Sequence, residues 1–254
     1  MEENKTLWIA DTAKLSDPRT RRHFLKLMGL GGAIVFLPAV MTACKDDVVV
    51  NPPTGGGNTL TPGAGPAVTI DFANGDIAVL QFAFALEQLE ADFYTRAVAG
   101  AGSAGYSTAE MQVLEDVKGH EITHRDFLKS TLGGNGQFTL TPTYPGVDFG
   151  NRMSVLTTAK TFEDLGVAAY NGAAQYLKDV NYLLVAGKIV SVEARHASAI
   201  RDLLAPKTGD FAPQSFDDAF SPGKVATAAQ GFIYDKVVLG NAPTTFVQGP
   251  NGNG

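Results

Sequence analysis

The chain has 254 residues, 44% of them hydrophobic, and carries 20 Lys and Arg against 26 Asp and Glu, a net charge of −6. That is enough apolar material for one sizeable core, while the acidic balance and the lack of a basic patch exclude a nucleic-acid-binding role, which needs cations to set against phosphate. Cys44 is the single cysteine, so an intramolecular disulfide and any thiolate metal site are excluded as well.

The chain opens on a segment that resembles an export signal. Thr20-Arg21-Arg22-His23-Phe24-Leu25-Lys26 is similar to the twin-arginine motif. The apolar run behind it, Leu27 to about Val40, falls short of the ~20 residues that a membrane span needs. Met41-Thr42-Ala43-Cys44 resembles a bacterial lipobox, with lipid attached at Cys44; an uncleaved apolar anchor is the other reading. Residues 1–43 hold six Lys/Arg against four Asp/Glu, so their removal takes the net charge from −6 to −8. Lys45-Asp46-Asp47 resembles the sorting signal of some bacterial surface lipoproteins, and reads equally as a solvated charge run. Together these features predict a lipoprotein of the periplasm, outer membrane or cell surface. Residues 44–75, rich in Gly, Pro, Thr and Asn, read as a flexible tether, and the tail after Gly240 has the same character.

Four helices are expected over residues 76–205. The first starts near Asp76, read as an N-cap, and stops at Gly100. Its stripe is Ile77, Leu80, Phe84, Glu87, Ala91, Tyr94 and Val98, with Gln81, Gln88 and Asp92 on the side expected to face solvent. Glu90 points inward as strongly as Glu87. The second helix starts at Ser107 or Thr108 and ends at Gly133, with the stripe Leu114, Val117, Glu121, His124 and Leu128. A long Thr/Pro/Gly-rich crossover loop follows, to about Asn151. The third helix runs from about Ser154 to Asn181 with Leu156, Ala159, Glu163, Gly166, Tyr170, Ala173, Leu177 and Val180 on one face. The fourth spans about Leu184 to Leu204 with Ala186, Ile189, Glu193, His196, Ile200 and Leu203. Val225 to Leu239 suits either a short fifth helix or a strand. No glycine-rich phosphate loop, nucleophile elbow or dinucleotide fingerprint occurs.

Each stripe thus carries a carboxylate at its centre, where an unneutralised charge is strongly disfavoured. Helix geometry places residues i and i+3 on one face, so Glu121 with His124, and Glu193 with His196, each aim an oxygen and a nitrogen at one region. With Glu87 and Glu163 this makes six ligands, and four carboxylates balance two divalent cations. Mixed oxygen and nitrogen donors suit Fe or Mn. Glu90 is a rival or additional ligand. The bland alternative is a network of ion pairs between helices, with Arg125 or Arg195 as partners. The halves also repeat: Glu87 and Glu121 lie 34 residues apart, Glu163 and Glu193 lie 30 apart, and Tyr94 and Tyr170 each follow the leading Glu by seven.

Leu86-Glu87-Gln88-Leu89-Glu90-Ala91-Asp92-Phe93-Tyr94, followed by Glu121-x-x-His124, Glu163 and Glu193-x-x-His196, resembles the ferritin-like superfamily. Bacterioferritin and rubrerythrin share this ligand order, and desiccation-related proteins are similar in style. The resemblance implies an all-α ferritin-like four-helix bundle with a long crossover loop. It implies a di-iron or di-manganese centre bound by Glu87, Glu121, His124, Glu163, Glu193 and His196, with Tyr94 and Tyr170 packed behind the ligands. It also implies ferroxidase-like or oxidant-scavenging chemistry with O2 or peroxide. The alternatives are a non-catalytic stress-related binding module or a structural lipoprotein. The chain lacks the cysteines of a rubredoxin-like electron site, its tether and C-terminal extension differ from cage-forming ferritins, and a homo-oligomer is left open.

Overall fold

The structure is a computed structural model, and it describes residues 60–250. The segment expected to be an export signal, Cys44 and the first part of the expected tether lie outside the described residues.

Four long helices carry the fold: α1 (Asp76–Ala99), α2 (Thr108–Gly136), α3 (Arg152–Ala173) and α4 (Val180–Leu204). α1 packs chiefly on α2 and α3 chiefly on α4, and the two hairpins meet across α1 and α3. Among the described residues no helix is long and apolar enough to cross a membrane. Ser107 caps α2 through a reciprocal box with Glu110, whose backbone N–H donates to Ser107 Oγ while its carboxylate accepts from Ser107 N. Gly133, at φ 63°, breaks the regular helix where the glycine pair predicts an end. Asn151 and Asp179 cap α3 and α4 with their side-chain oxygens.

The two ends of the bundle are tied by charged groups. Asp76 is not the N-cap of α1; that position is Gly75. Its carboxylate instead accepts from the Lys178 and Asp179 backbone N–H groups, 2.8 Å each, and fixes the α3–α4 turn to the start of α1. That turn lies at residues 174–179, before the expected Asn181, because α3 tightens into a 3-10 turn at Ala174–Tyr176. At the other end Arg152 donates to Glu110 on α2 and to the Leu203 carbonyl on α4.

Two short strands pair, one where a tether was expected and one in the stretch that suited either a helix or a strand. β1 (Ala67–Asp71) pairs in parallel with β2 (Lys236–Gly240), Ala67 opposite Lys236 and Asp71 opposite Gly240, and Ile70 is fully buried. The tether reading therefore runs too far at its C-terminal end. A short helix, α5 (Pro222–Gln230), precedes β2, so the 222–240 stretch divides into one helix and one strand.

The face of α1 read as solvent-facing is covered. Gln88 Oε1 accepts from Leu140 N, Gln81 Nε2 donates to the Gly136 carbonyl, and the Tyr144 hydroxyl donates to Asp92. The crossover loop lies over this face and is itself stitched to the C-terminal extension, with Thr143 N donating to the Phe232 carbonyl. Beneath it, Phe162 packs edge-on against Phe93 and Phe232, with ring centroids 4.9 and 4.7 Å away. α1 is therefore covered on nearly every side, with its polar residues bonded to the elements that cover them.

Gly172 permits the C-terminal extension to dock on α3. Phe220 N donates to the Ala168 carbonyl at 2.9 Å, and a Cβ on Gly172 would overlap the Phe220 carbonyl, which is backbone and cannot rotate away. Gly172→Ala is expected to destabilise the domain by about 1–3 kcal/mol, the usual scale for overpacking. Chemical denaturation measures this, and an unchanged midpoint would show that the extension docks elsewhere in solution.

Candidate metal centre

The stripe residues that carry charge converge. Glu87, Glu121, Glu163 and Glu193 are all fully buried, and His196 is 4% exposed. Their ligand atoms, with those of the two histidines, form two overlapping groups. One is Glu87, Glu121, His124 and Glu193; the other is Glu121, Glu163, Glu193 and His196. Within each group the atoms lie within 4.8 Å of one another. Glu121 and Glu193 belong to both. The two Glu-x-x-His helices thus supply the shared carboxylates, and α1 and α3 supply the unshared ones.

The hydrogen bonds sort the carboxylates the same way. Tyr94 on α1 donates to Glu163 Oε1 on α3, and Tyr170 on α3 donates to Glu87 Oε1 on α1 at 2.5 Å. Each unshared carboxylate therefore has one oxygen fixed by a tyrosine and leaves Oε2 without a hydrogen-bond partner. The shared Glu121 and Glu193 leave both oxygens without one, and each histidine leaves Nδ1. Among the described residues nine buried side-chain polar atoms lack a hydrogen-bond partner, and eight of them are these. Unpaired buried polar atoms are rare in folded proteins, so their gathering at one point calls for a common partner. Lone pairs of four carboxylates and two imidazoles, aimed at each other across short gaps, fit cations between them.

An ion-pair network is the poorer account. Among the described residues the only basic groups within ion-pair distance of these four carboxylates are the two histidines. His124 Nδ1 lies 3.1 Å from Glu193 and 3.4 Å from Glu87 and Glu121; His196 Nδ1 lies 2.8 Å from Glu121 and 3.3 Å from Glu163. Arg125 turns away to pair with Asp126 at the surface. Two imidazolium charges cannot balance this many buried carboxylates.

Electrostatics in the metal-free protein reflect that imbalance. Burial pushes the Glu87 carboxyl up to about 8, with His124 opposing it. Burial also raises Glu163, and raises Glu193 well above its ordinary value with repulsion from Glu121 adding to it. Glu121 goes the other way: burial would raise it, but contacts from His124 and His196 outweigh that and bring it to about 2. Burial alone would lower the two histidines, yet their carboxylate neighbours raise His124 to about 12 and His196 to about 10. Protons hold the cluster together when cations do not.

Glu90 is 3% exposed but belongs to neither ligand group. Burial first, and then repulsion from Glu193, raises its carboxyl well above the usual range. It occupies room that Gly166 leaves: a Cβ there would lie 3.1 Å from Glu90 Oε1 and 3.2 Å from Glu193 Oε2. Gly166 follows Glu163 by three residues as Glu90 follows Glu87, so the two halves of the repeat differ at this point.

Two features were not visible in the sequence. His120 Nδ1 lies 2.9 Å from His196 Nε2, a link between α2 and α4 that spacing along one helix does not reveal. An apolar cavity of about 30 Å³ lies between the four helices, lined by Ala83, Leu128, Tyr170, Ala186 and Ile189 among others. Ala83 is one turn before Glu87, Leu128 one turn after His124, and Ile189 one turn before Glu193, so the cavity lies about a turn from the ligands, and Tyr170, which bonds Glu87, stands between.

A family model described as a ferritin-like domain matches residues 75–206. No curated protein matches the chain.

Proposed function

Because this chain belongs to the ferritin-like domain family, whose match covers just over half of its length, we propose that it binds a dinuclear Fe or Mn centre and reacts there with an oxidant. The observation that carries this reading is the pair of overlapping ligand groups sharing Glu121 and Glu193, which is what two neighbouring ions bridged by carboxylates require. An oxygen and nitrogen donor set with no thiolate suits Fe or Mn. When bound, the ions would supply electrons to O2 or peroxide, a ferroxidase-like or oxidant-scavenging reaction.

The protein's part is to hold geometry and exclude water. Tyr94 and Tyr170 fix the unshared carboxylates through Oε1 and so direct Oε2 inward. The aromatic and aliphatic layers around the ligands keep the surroundings dry. The cavity beside Tyr170 has an apolar lining and room for a diatomic molecule, since one water needs ~10–15 Å³ on the same measure. That lining favours O2 over peroxide, which would have to leave its hydrogen bonds behind. Export by the twin-arginine route, with lipid at Cys44, remains part of the proposal; it would place the centre outside the cytoplasm.

Anaerobic Fe(II) titration followed by addition of O2, monitored by absorbance, tests the reading. The expected result is saturation near about two ions per chain, then an O2-dependent absorbance change. Uptake of less than about one ion per chain overturns it. Uptake without O2 consumption leaves the non-catalytic binding module. Ala186→Phe, which fills the cavity from α4, is expected to keep the stoichiometry and slow the O2 phase severalfold. An unchanged O2 phase would mean that the oxidant arrives by another path.

A further inference from the structure

The repeat that builds the centre is nearly symmetric, and one asymmetry falls on a ligand. Glu87 matches Glu163, Glu121 matches Glu193, His124 matches His196, and the two tyrosines cross in matching fashion. The residue before each shared carboxylate does not match: it is His120 on α2 and Val192 on α4. His120 meets His196, the histidine of the opposite hairpin. Among the described residues His124 has no such partner on its outer nitrogen.

The contact has the geometry of a directed hydrogen bond. His120 Nδ1 and His196 Nε2 are 2.9 Å apart, the ring planes differ by 8°, and the centroids are 5.1 Å apart. That centroid separation is what two imidazoles joined edge to edge through such a bond would give, so the rings lie end to end in one plane and do not stack face to face. A ring nitrogen bond of this kind fixes which nitrogen of the partner carries the proton. His196 Nδ1, the nitrogen left free, is the one that faces Glu121 and Glu163. His120 itself is exposed at the surface of α2, so it reaches solvent on its other side.

We propose that His120 is a positioning residue: it accepts the Nε2–H of His196, keeps the Nδ1 lone pair directed at the centre, and makes the Glu121–Glu163–Glu193–His196 position the tighter of two inequivalent metal positions. The proposal rests on the dinuclear reading and adds an order of filling to it. An imidazole whose outer N–H is held by an acceptor is both oriented and more basic toward a metal, while His124 has to be oriented by the metal itself.

Two measurements test it. In the metal-free protein the carboxylates keep His196 protonated on both nitrogens up to about pH 10, so 15N imidazole NMR is expected to find His120 Nδ1 bare and accepting the His196 Nε2–H; a protonated His120 Nδ1 overturns the proposal whatever the protein later binds. Anaerobic Mn(II) or Fe(II) calorimetry on the full chain is expected to resolve two steps. His120→Phe, which keeps a ring but cannot accept, should weaken the tighter step by about 10–100-fold and leave the weaker step in place. His120→Gln, whose side-chain oxygen can accept, should restore most of the loss. Equal weakening of both steps in His120→Phe, or no rescue by His120→Gln, would assign His120 a packing role only and overturn the proposal. If the unaltered protein takes up no metal, the dinuclear reading itself fails, an outcome separate from two steps that ignore His120.

Discussion

Replacing Glu193 with Gln should leave the metal-free protein within about 1 kcal/mol of its original stability and lower its affinity for Fe(II) or Mn(II) at both positions by about 100-fold or more. The two halves of this expectation have separate causes. Burial, with repulsion from Glu121 adding to it, raises the Glu193 carboxyl well above its ordinary value, which favours the neutral acid when no metal is bound. Gln replaces one neutral group with another of the same size. In the loaded protein Glu193 is shared by both ligand groups, and both its oxygens lack any other partner. Loss of an outer partner of a ligand typically costs ~10–100-fold, and loss of a shared ligand is expected to cost at least the upper part of that range. The reading in which Glu193 and His124 form a structural ion pair predicts the reverse: breaking a buried pair costs about 3–5 kcal/mol, and added metal would not matter. Thermal denaturation with chelator, set beside calorimetry with Mn(II), separates the two.

The metal-free protein should lose stability as pH rises from about 5 to 8, while the loaded protein should gain over the same range. Glu87 titrates at about 8 folded against 4.5 unfolded, and Glu163 and Glu193 are raised as well, so between those values the folded state holds more protons. By linkage, the stabilisation they contribute is fully present below 4.5 and drains away as pH climbs through the folded value. His124 and His196, raised to about 12 and 10 from 6.5, have the same sign: their contribution is present below 6.5 and is lost on the alkaline side. Glu121, lowered to about 2 from 4.5, opposes them and loses its contribution only in strong acid. Metal binding needs deprotonated carboxylates and free Nδ1 lone pairs, so it releases protons and strengthens with pH. The gap between melting temperatures with Mn(II) and with chelator should therefore widen from pH 5 to pH 8. A gap that narrows would mean that the carboxylates are not the metal's ligands.

The convergence of the six side chains was legible because helical period is a strong constraint. Once Glu87, Glu121, Glu163 and Glu193 are the odd members of four apolar stripes, burying the stripes brings them together. The tyrosine spacing was legible as symmetry, but its crossed partners were not, since a seven-residue interval says which face a hydroxyl shares and not which helix it meets. The pairing of the two strands was invisible for a different reason, although a strand was one of the two readings of Val225 to Leu239. Ala67–Asp71 and Lys236–Gly240 are five residues each, sit among Gly and Pro, and lie at opposite ends of the domain, so neither shows its register until the other is placed beside it. Gln81, Gln88 and Asp92 misled because they are polar for a reason other than water: Gln81 bonds the end of α2, and Gln88 and Asp92 bond the backbone and the tyrosine of the loop that covers them. His120 adjoins Glu121, but its partner on another helix could not be named from spacing alone.

The crossed tyrosines have a consequence for how such a protein could arise. Tyr94 belongs to the first hairpin and steadies a carboxylate of the second; Tyr170 does the converse. Neither hairpin is self-sufficient, because each lacks the hydroxyl that disciplines its own acid. A primordial chain of half the length could have assembled the same chamber only as twins, each lending the other its phenol. The two hairpins therefore complete the chamber only together, although they are not copies of each other: His120 stands against Val192 and Glu90 against Gly166.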